Sequence, residues 1–455
     1  MIAARLVASA RGTGASTGVR TQALFGTIAN AQAGKLADDK EGKKDSSEFL
    51  SSTTDYLSPS EASVQPVELF EHVCSLGIDF FCGVPDSLLK PFCAVIADTA
   101  ERHLITANEG SAVATAAGYH LSTGEVPLVY LQNSGLGNAV NPIMSLAHRE
   151  VYATPMVLVI GWRGCPGHKD EPQHVVQGRQ TVKQLESLSI DILVLPNNTA
   201  AAKDTFTEAV AAAKRTSQPV ALLVPPSTFL GYKKTGAPEA PAGLAAAVAK
   251  MPTREQAIRV ILEDLVGPDD AVVCTTGFTS REVYELRANL GQNHDQDFLC
   301  VGSMGHALAI AQGIASAQPD RTVWCLDGDG ATLMHMGNMA SSGALARSVG
   351  NGLCNLRHIV LNNRVHDSVG AQPTAASFEG AVDFPAMALA AGYTSSASAS
   401  TAAEIRTTVD DALSSSPDGP LFLNVDLNLG TRSDLGRPKT TTLEAKKALM
   451  SFLAK

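Results

Sequence analysis

Three groups of residues in this sequence combine types and spacings that could do chemistry. The apolar run Val323–Leu326 ends in Asp327-Gly328-Asp329-Gly330 and passes into ATLMHMGNMA, which has helical spacing. Glycines at such a place let the backbone approach a diphosphate, and the first turn of the helix offers free amides to the anion. Asp329 supplies a hard oxygen ligand for magnesium. A second apolar run, HIVL, ends in Asn362-Asn363. An Asp at one strand end and an Asn at another can jointly hold a magnesium ion that also grips phosphate oxygens. Taken singly, both are ordinary turn sequences. The third group is Glu109 in LITANEGSAVATAAGYH, where a strand-like run gives way to a helix of small residues. Alone, a Glu at a helix start does no more than offset the helix dipole.

These groups need elements that position them. Short apolar runs recur along the chain: VPLVYLQ, PMVLVIGW, DILVLP, PVALLVP, AVVCTT, RTVWCLDG, RHIVLNN and LFLNVDLN. Each has the length of a buried strand, and stretches such as SAVATAAGYHLSTG and ALAIAQGIASA between them have helical spacing. Alternating strands and helices predict doubly wound parallel α/β sheets. The Gly/Pro/Ala-rich residues 227–252 read as a linker between two α/β domains, 64–226 and 253–455. In such sheets ligands bind outside the carboxyl ends of the strands, so the polar residues after each strand are the place to seek chemistry.

Bulk properties narrow the classes. The chain has 455 residues, 45% hydrophobic and 18% charged. No apolar run reaches the ~20 residues that a membrane-spanning helix needs. A formal net charge of -10 argues against nucleic acid as a partner. A local cationic pocket for a small anion remains compatible with that charge. The eight cysteines are scattered, with no Cys-x-x-Cys pair, and read as reduced thiols rather than a zinc site or a disulfide framework. Residues 1–36 contain no acidic side chain but carry Arg5, Arg11, Arg20 and Lys35. Residues 1–37 therefore read as an organellar transit peptide, mitochondrial being the expectation and cytoplasmic residence the alternative. The polar residues 38–63 read as a further linker.

Taken together, GDG followed by Asn-Asn resembles the signature of the thiamine-diphosphate-dependent 2-oxo acid decarboxylases. That resemblance implies thiamine diphosphate and Mg2+ as cofactors. It implies metal ligation by Asp329, Asn363 and the carbonyl of Val365, with Gly328 and Gly330 at the diphosphate. It implies that Glu109 hydrogen-bonds the aminopyrimidine ring and so activates the thiazolium carbon. CVGSMGHALAIAQG resembles the segment that bends the cofactor, with Met304 as the wedge and the Gly302 carbonyl accepting from the amino group. Met304 by itself could equally be core filling. CTTGFTSRE resembles the diphosphate-side loop, with Gly277, Thr279 and Ser280 as candidates.

Longer strings sharpen the resemblance: GVPDSLLK, VYLQNSGLGNAVNPIMSLA, VLVIGWRGCPGHKDEPQHVVQGRQT and NNRVHDSVGAQPT. They resemble the members acting on a three-carbon 2-oxo acid with a phosphonate on its third carbon, the sulfonate analogue being the alternative. The middle domain of the carboligase members is absent. Asn133-Ser134 stands where a paired His stands in the pyruvate enzymes, and Val369 stands where those enzymes have a Glu. Asp86, Asp367 and Ser368 are left as candidates for the proton relay. Arg163, His168, Lys169, His174 and Arg179 crowd one Gly/Pro-rich segment expected to be a loop. Ser87, Lys90 and Arg163 are the candidates for holding the phosphonate, whose charge and three acceptor oxygens suit such donors. A solvated basic loop, paired with Asp170 and Glu171, is the plainer reading. The family places its cofactor between two subunits, so a homodimer or larger homo-oligomer is expected. A dinucleotide-binding reading of SGLGNAV fails for want of a third glycine and an acidic ribose partner.

Overall fold

The computed structural model describes residues 63–233 and 248–455, apart from 349, 351, 378–381 and 415–417. The transit-peptide reading, nearly all of the 38–63 linker and the middle of the 227–252 linker lie outside the described residues.

The first sheet contains Phe80–Gly83 (β1), Arg102–Ile105 (β2), Leu128–Gln132 (β3), Met156–Gly161 (β4), Asp191–Val194 (β5) and Pro219–Val224 (β6). All its pairings are parallel, in the order β2-β1-β3-β4-β6-β5. The second half begins with Ala271–Cys274 (β7), Asp297–Leu299 (β8), Val323–Gly328 (β9) and Leu356–Asn362 (β10). After a small antiparallel pair, Val365–His366 (β11) with Gln372–Pro373 (β12), come Ser395–Ala399 (β13) and Leu421–Asp426 (β14). The second sheet runs β13-β14-β10-β9-β7-β8, again parallel throughout. Numbered within its own half and read from the opposite edge, it has the same order as the first: second, first, third, fourth, sixth, fifth. Both sheets lie within one compact unit.

All eight apolar runs form strands. The central strands β4 and β6 are buried along their whole length, because helices cover both faces of a parallel sheet and leave no polar side. Four strands of the two large sheets have no such run. The edge strand β2, RHLI, alternates exposed and half-buried residues, and β8 is only three residues long. β13 is SSASA, a sequence without strand propensity that is held by its five-residue register with β14. The short β1, FFCG, is buried between β2 and β3. The predicted helices also form, at Glu109–Thr123 and Ala307–Ala317. One expectation is corrected: the basic segment after Arg163 is a loop only to Glu171. Pro172 then starts a helix that runs to Ser187 and carries His174 and Arg179, the fixed φ of proline suiting its first turn.

Candidate active site

Both sheets place their candidate residues just past the carboxyl ends of their first four strands. In the first half, Glu109 follows β2 and opens the helix Glu109–Thr123, whose N-cap Asn108 accepts from the Gly110 amide. Glu109 is buried, and burial pushes its carboxyl up against two lowering hydrogen bonds, from Asn138 and from its own backbone. The Asn138 amide donates to Glu109 Oε2 at 2.7 Å. Gly135 lies flush against the same side chain, since a Cβ there would collide with Oε1. Asn138 and Gly135 were not singled out in the sequence, although both lie in the SGLGNAV string.

Asp86 follows β1 and is fully buried. Its carboxylate meets the end of β4 so closely that a Cβ on Gly161 would overlap Oδ1. Burial pushes its pKa up to about 6, partly offset by the Leu88 amide and the nearby Arg163. Ser87 and Arg163 come together, with Arg163 Nη1 donating to Ser87 Oγ at 2.9 Å. The rest of the Arg163 fork grips Asp170 in a bidentate pair, 2.8 Å at Nε and 2.5 Å at Nη2. Burial opposes ionisation of Asp170, yet Arg163 and two backbone amides hold it well below the usual carboxylate range. Pairing within the segment, the plainer alternative, is thus present. Glu171 instead pairs with Arg437 of the second half at 2.7 Å. Asn133 pins the loop, donating to the Arg163 carbonyl and Thr181 Oγ1 and accepting from the Arg163 amide. Lys90 is exposed, and its stem lies over the second half, where a Cβ on Gly370 would come within 2.8 Å of Lys90 Cε.

In the second half, the β9–β10 register sets Gly328 opposite Leu361, which carries Asp329 and Asn363 forward to the same end of the sheet. Asp329 opens the helix Asp329–Met334, is buried, and accepts from Thr374 Oγ1 at 2.5 Å. Gly330 is overlain by His366, with Cε1 2.7 Å from where a Cβ would sit. Burial lowers His366 to about 4, so the ring is neutral. Asn363 is buried and accepts from the Val365 amide at 3.2 Å. Gly277 follows β7 at φ +95, a conformation that favours glycine, and caps the helix Phe278–Asn289. The nearest atom to a Cβ there is Ser368 Oγ at 3.9 Å, an ordinary contact. Thr279 is buried, and the Ser280 hydroxyl bonds inward to the Thr275 carbonyl at 2.7 Å. Met304 is half-buried, and Gly302 faces Gln173 of the first half. Asp367 accepts from Arg254 and Thr431.

These residues suit a magnesium–diphosphate group. The donors that follow β9 and β10 are hard oxygens, and the buried Thr275 and Thr332 hydroxyls have no hydrogen-bond partner among the described residues. Sequence reading passed over these two threonines because their signal is a missing bond. It also passed over a buried polar chain behind the site. That chain links His358, Tyr393, Ser342, Gln312 and Asn338, and Asn338 bonds the Gly305 carbonyl.

Comparisons with known proteins give the family. The family model "Thiamine pyrophosphate enzyme, N-terminal TPP binding domain" matches residues 68–186, and the corresponding C-terminal domain matches residues 275–425. A phosphonopyruvate decarboxylase of Streptomyces viridochromogenes is 36% identical over 394 residues, 85% of this chain and 94% of its own. One of Streptomyces hygroscopicus is 36% identical over 85% of this chain and 93% of its own. A sulfopyruvate decarboxylase of Methanosarcina acetivorans is 26% identical over 69% of this chain and 79% of its own. With both cofactor-binding halves matched and this identity sustained over most of the chain, the protein belongs to the phosphonopyruvate decarboxylase family of thiamine-diphosphate-dependent enzymes.

Proposed function

We propose that this enzyme decarboxylates 3-phosphonopyruvate to phosphonoacetaldehyde and CO2, using thiamine diphosphate and Mg2+. One observation carries the reading: 36% identity to phosphonopyruvate decarboxylases over 85% of the chain, against 26% for the sulfopyruvate enzyme that spans both halves. When bound, thiamine diphosphate supplies a nucleophilic carbon and a sink for the electrons that the departing CO2 leaves behind. Asp329, Asn363 and the Val365 carbonyl would hold the metal, and Gly277, Gly328 and Gly330 would admit the diphosphate. Glu109 would share a proton with the aminopyrimidine ring. Asp86, lifted to about 6, can hold and return a proton near neutral pH. Ser87, Lys90 and Arg163 would bind the phosphonate, and donors left unpaired by pyruvate would discriminate against it.

The active unit is proposed to be at least a homodimer, and residues 1–37 to direct organellar import. Exposed apolar side chains on the first half, Leu121, Met144 and Tyr152 among them, offer surface for a subunit contact. The central test is product analysis with thiamine diphosphate, Mg2+ and a panel of 2-oxo acids. Phosphonoacetaldehyde as the preferred product is expected, while faster turnover of sulfopyruvate would overturn the substrate assignment. A reporter fused to residues 1–37 should enter an organelle, and a diffuse cytosolic signal would refute that assignment.

A further inference from the structure

Asn138 sits on the short helix Leu136–Pro142, which packs across the start of the helix Glu109–Thr123. The two backbones approach at points where a side chain would not fit. A Cβ on Gly110 would lie 2.6 Å from the Asn138 carbonyl oxygen, and one on Gly135 would collide with the Glu109 carboxylate. Between these contacts the Asn138 amide reaches Glu109 Oε2 at 2.7 Å. The neighbouring Asn108 turns its side-chain oxygen to the helix start, accepting from the Gly110 amide at 2.8 Å. Glu109 therefore has one carboxylate oxygen held by a neutral donor on a separate element, and Oε1 is left without that restraint.

We propose that Asn138 is a positioning residue for the reaction: it fixes the Glu109 carboxylate through Oε2 and leaves Oε1 as the oxygen that meets the aminopyrimidine ring. The proposal rests on the reading of Glu109 given above. A neutral donor is chemically apt here. Burial disfavours the carboxylate, and an amide hydrogen bond restores part of its stability without adding a counter-charge that would fix it as an anion. The other elements packed on this helix, β1, β3 and Ile143–Ala147, contribute Cys82 and Tyr130 as their titratable groups. Burial pushes Cys82 up to about 12 and Tyr130 well above its ordinary value, so both stay neutral. Asn138 is thus the side chain that tunes Glu109.

The test uses the full chain. With 13C-labelled Glu carboxyls in the cofactor-free protein, the Glu109 resonance is identified by its loss in Glu109→Gln. Its titration should move upward by about one pH unit in Asn138→Ala, and at least as far in the near-isosteric Asn138→Asp. With thiamine diphosphate and Mg2+ bound, H/D exchange at the cofactor C2 at neutral pH should fall roughly ten-fold in Asn138→Ala, tracking that shift. An unmoved Glu109 titration in whichever of the two variants folds overturns the proposal. Suppressed exchange in Glu109→Gln with parental exchange in Asn138→Ala overturns it alone. Unchanged exchange in Glu109→Gln overturns the role of Glu109 and this proposal with it.

Discussion

The two halves share a strand order but not a chemistry. After the first strand of each half stand Asp86 and Gly277; after the second, Glu109 and Gly302–Met304; after the third, Gly135–Asn138 and Asp329; after the fourth, Arg163 and Asn363. The first half offers mainly ionisable side chains, Asp86, Glu109 and Arg163, of the kinds suited to proton transfer or anion binding. The second offers glycines, free backbone groups and hard oxygens that suit a metal–diphosphate. The scaffold thus decides where a functional residue can stand, and the residue type at each strand end decides what it does.

If that division is right, damage to the first half should slow chemistry and damage to the second should weaken cofactor binding. The largest effect is expected from Glu109→Gln: a fall in kcat on the order of 10³, with thiamine diphosphate affinity nearly retained. Steady-state kinetics alongside a binding titration checks this, and a variant that loses affinity but keeps kcat would break the comparison. Next, Asp329→Ala should weaken Mg2+ and thiamine diphosphate together, by about 100-fold, because the ion that Asp329 would hold is the one that would also neutralise the diphosphate. Quenching of the buried Trp162 and Trp324 reports both titrations. Normal cofactor affinity would remove Asp329 from the metal site.

Arg163→Ala should lower kcat/KM for phosphonopyruvate by roughly 10²-fold while sparing the slow turnover of pyruvate, because only the former offers a phosphonate to bind. Equal losses on both substrates would show that Arg163 serves the loop, through Asp170, rather than the substrate. A smaller effect concerns stability. Asp86 titrates at about 6 in the folded protein against an ordinary 3.8, so the folded state binds the extra proton. Stability should therefore fall as pH rises from about 4 to about 6 and stay reduced above that. Asp86→Asn removes this slope, and above pH ~6 it should gain on the parent by on the order of 1–3 kcal/mol. Denaturant melts at several pH values measure it, and parallel curves would mean that Asp86 is not the group responsible. The smallest change is expected from deleting residues 1–60, after which kcat should stay within about two-fold of the parent, since none of the proposed site residues lies there.

How much of this was legible in advance follows from the kind of signal. Strands buried on both faces must be apolar throughout, so β4 and β6 announce themselves as MVLVIG and PVALLV. β13 does not, because SSASA becomes a strand only when β14 offers it a hydrogen-bonding edge. The helix hidden in the basic segment was masked by its Gly- and Pro-rich lead-in, although Pro172 was itself the start signal.

The amino-acid sequence alone determined the fold class, pointed to thiamine diphosphate and named a short list of candidate site residues. These depend on local patterns: apolar runs, glycines after strands, and an acid or amide at a strand's end. Only the tertiary structure decided which members of that list are free to act. It bound Asp367 to Arg254, closed most of the Arg163 fork on Asp170, buried Asp86 against Gly161, and brought Asn138 onto Glu109 from another helix. The reason is physical: a carboxylate's proton affinity is set by burial and by hydrogen-bond partners, and burial depends on how distant parts of the chain pack.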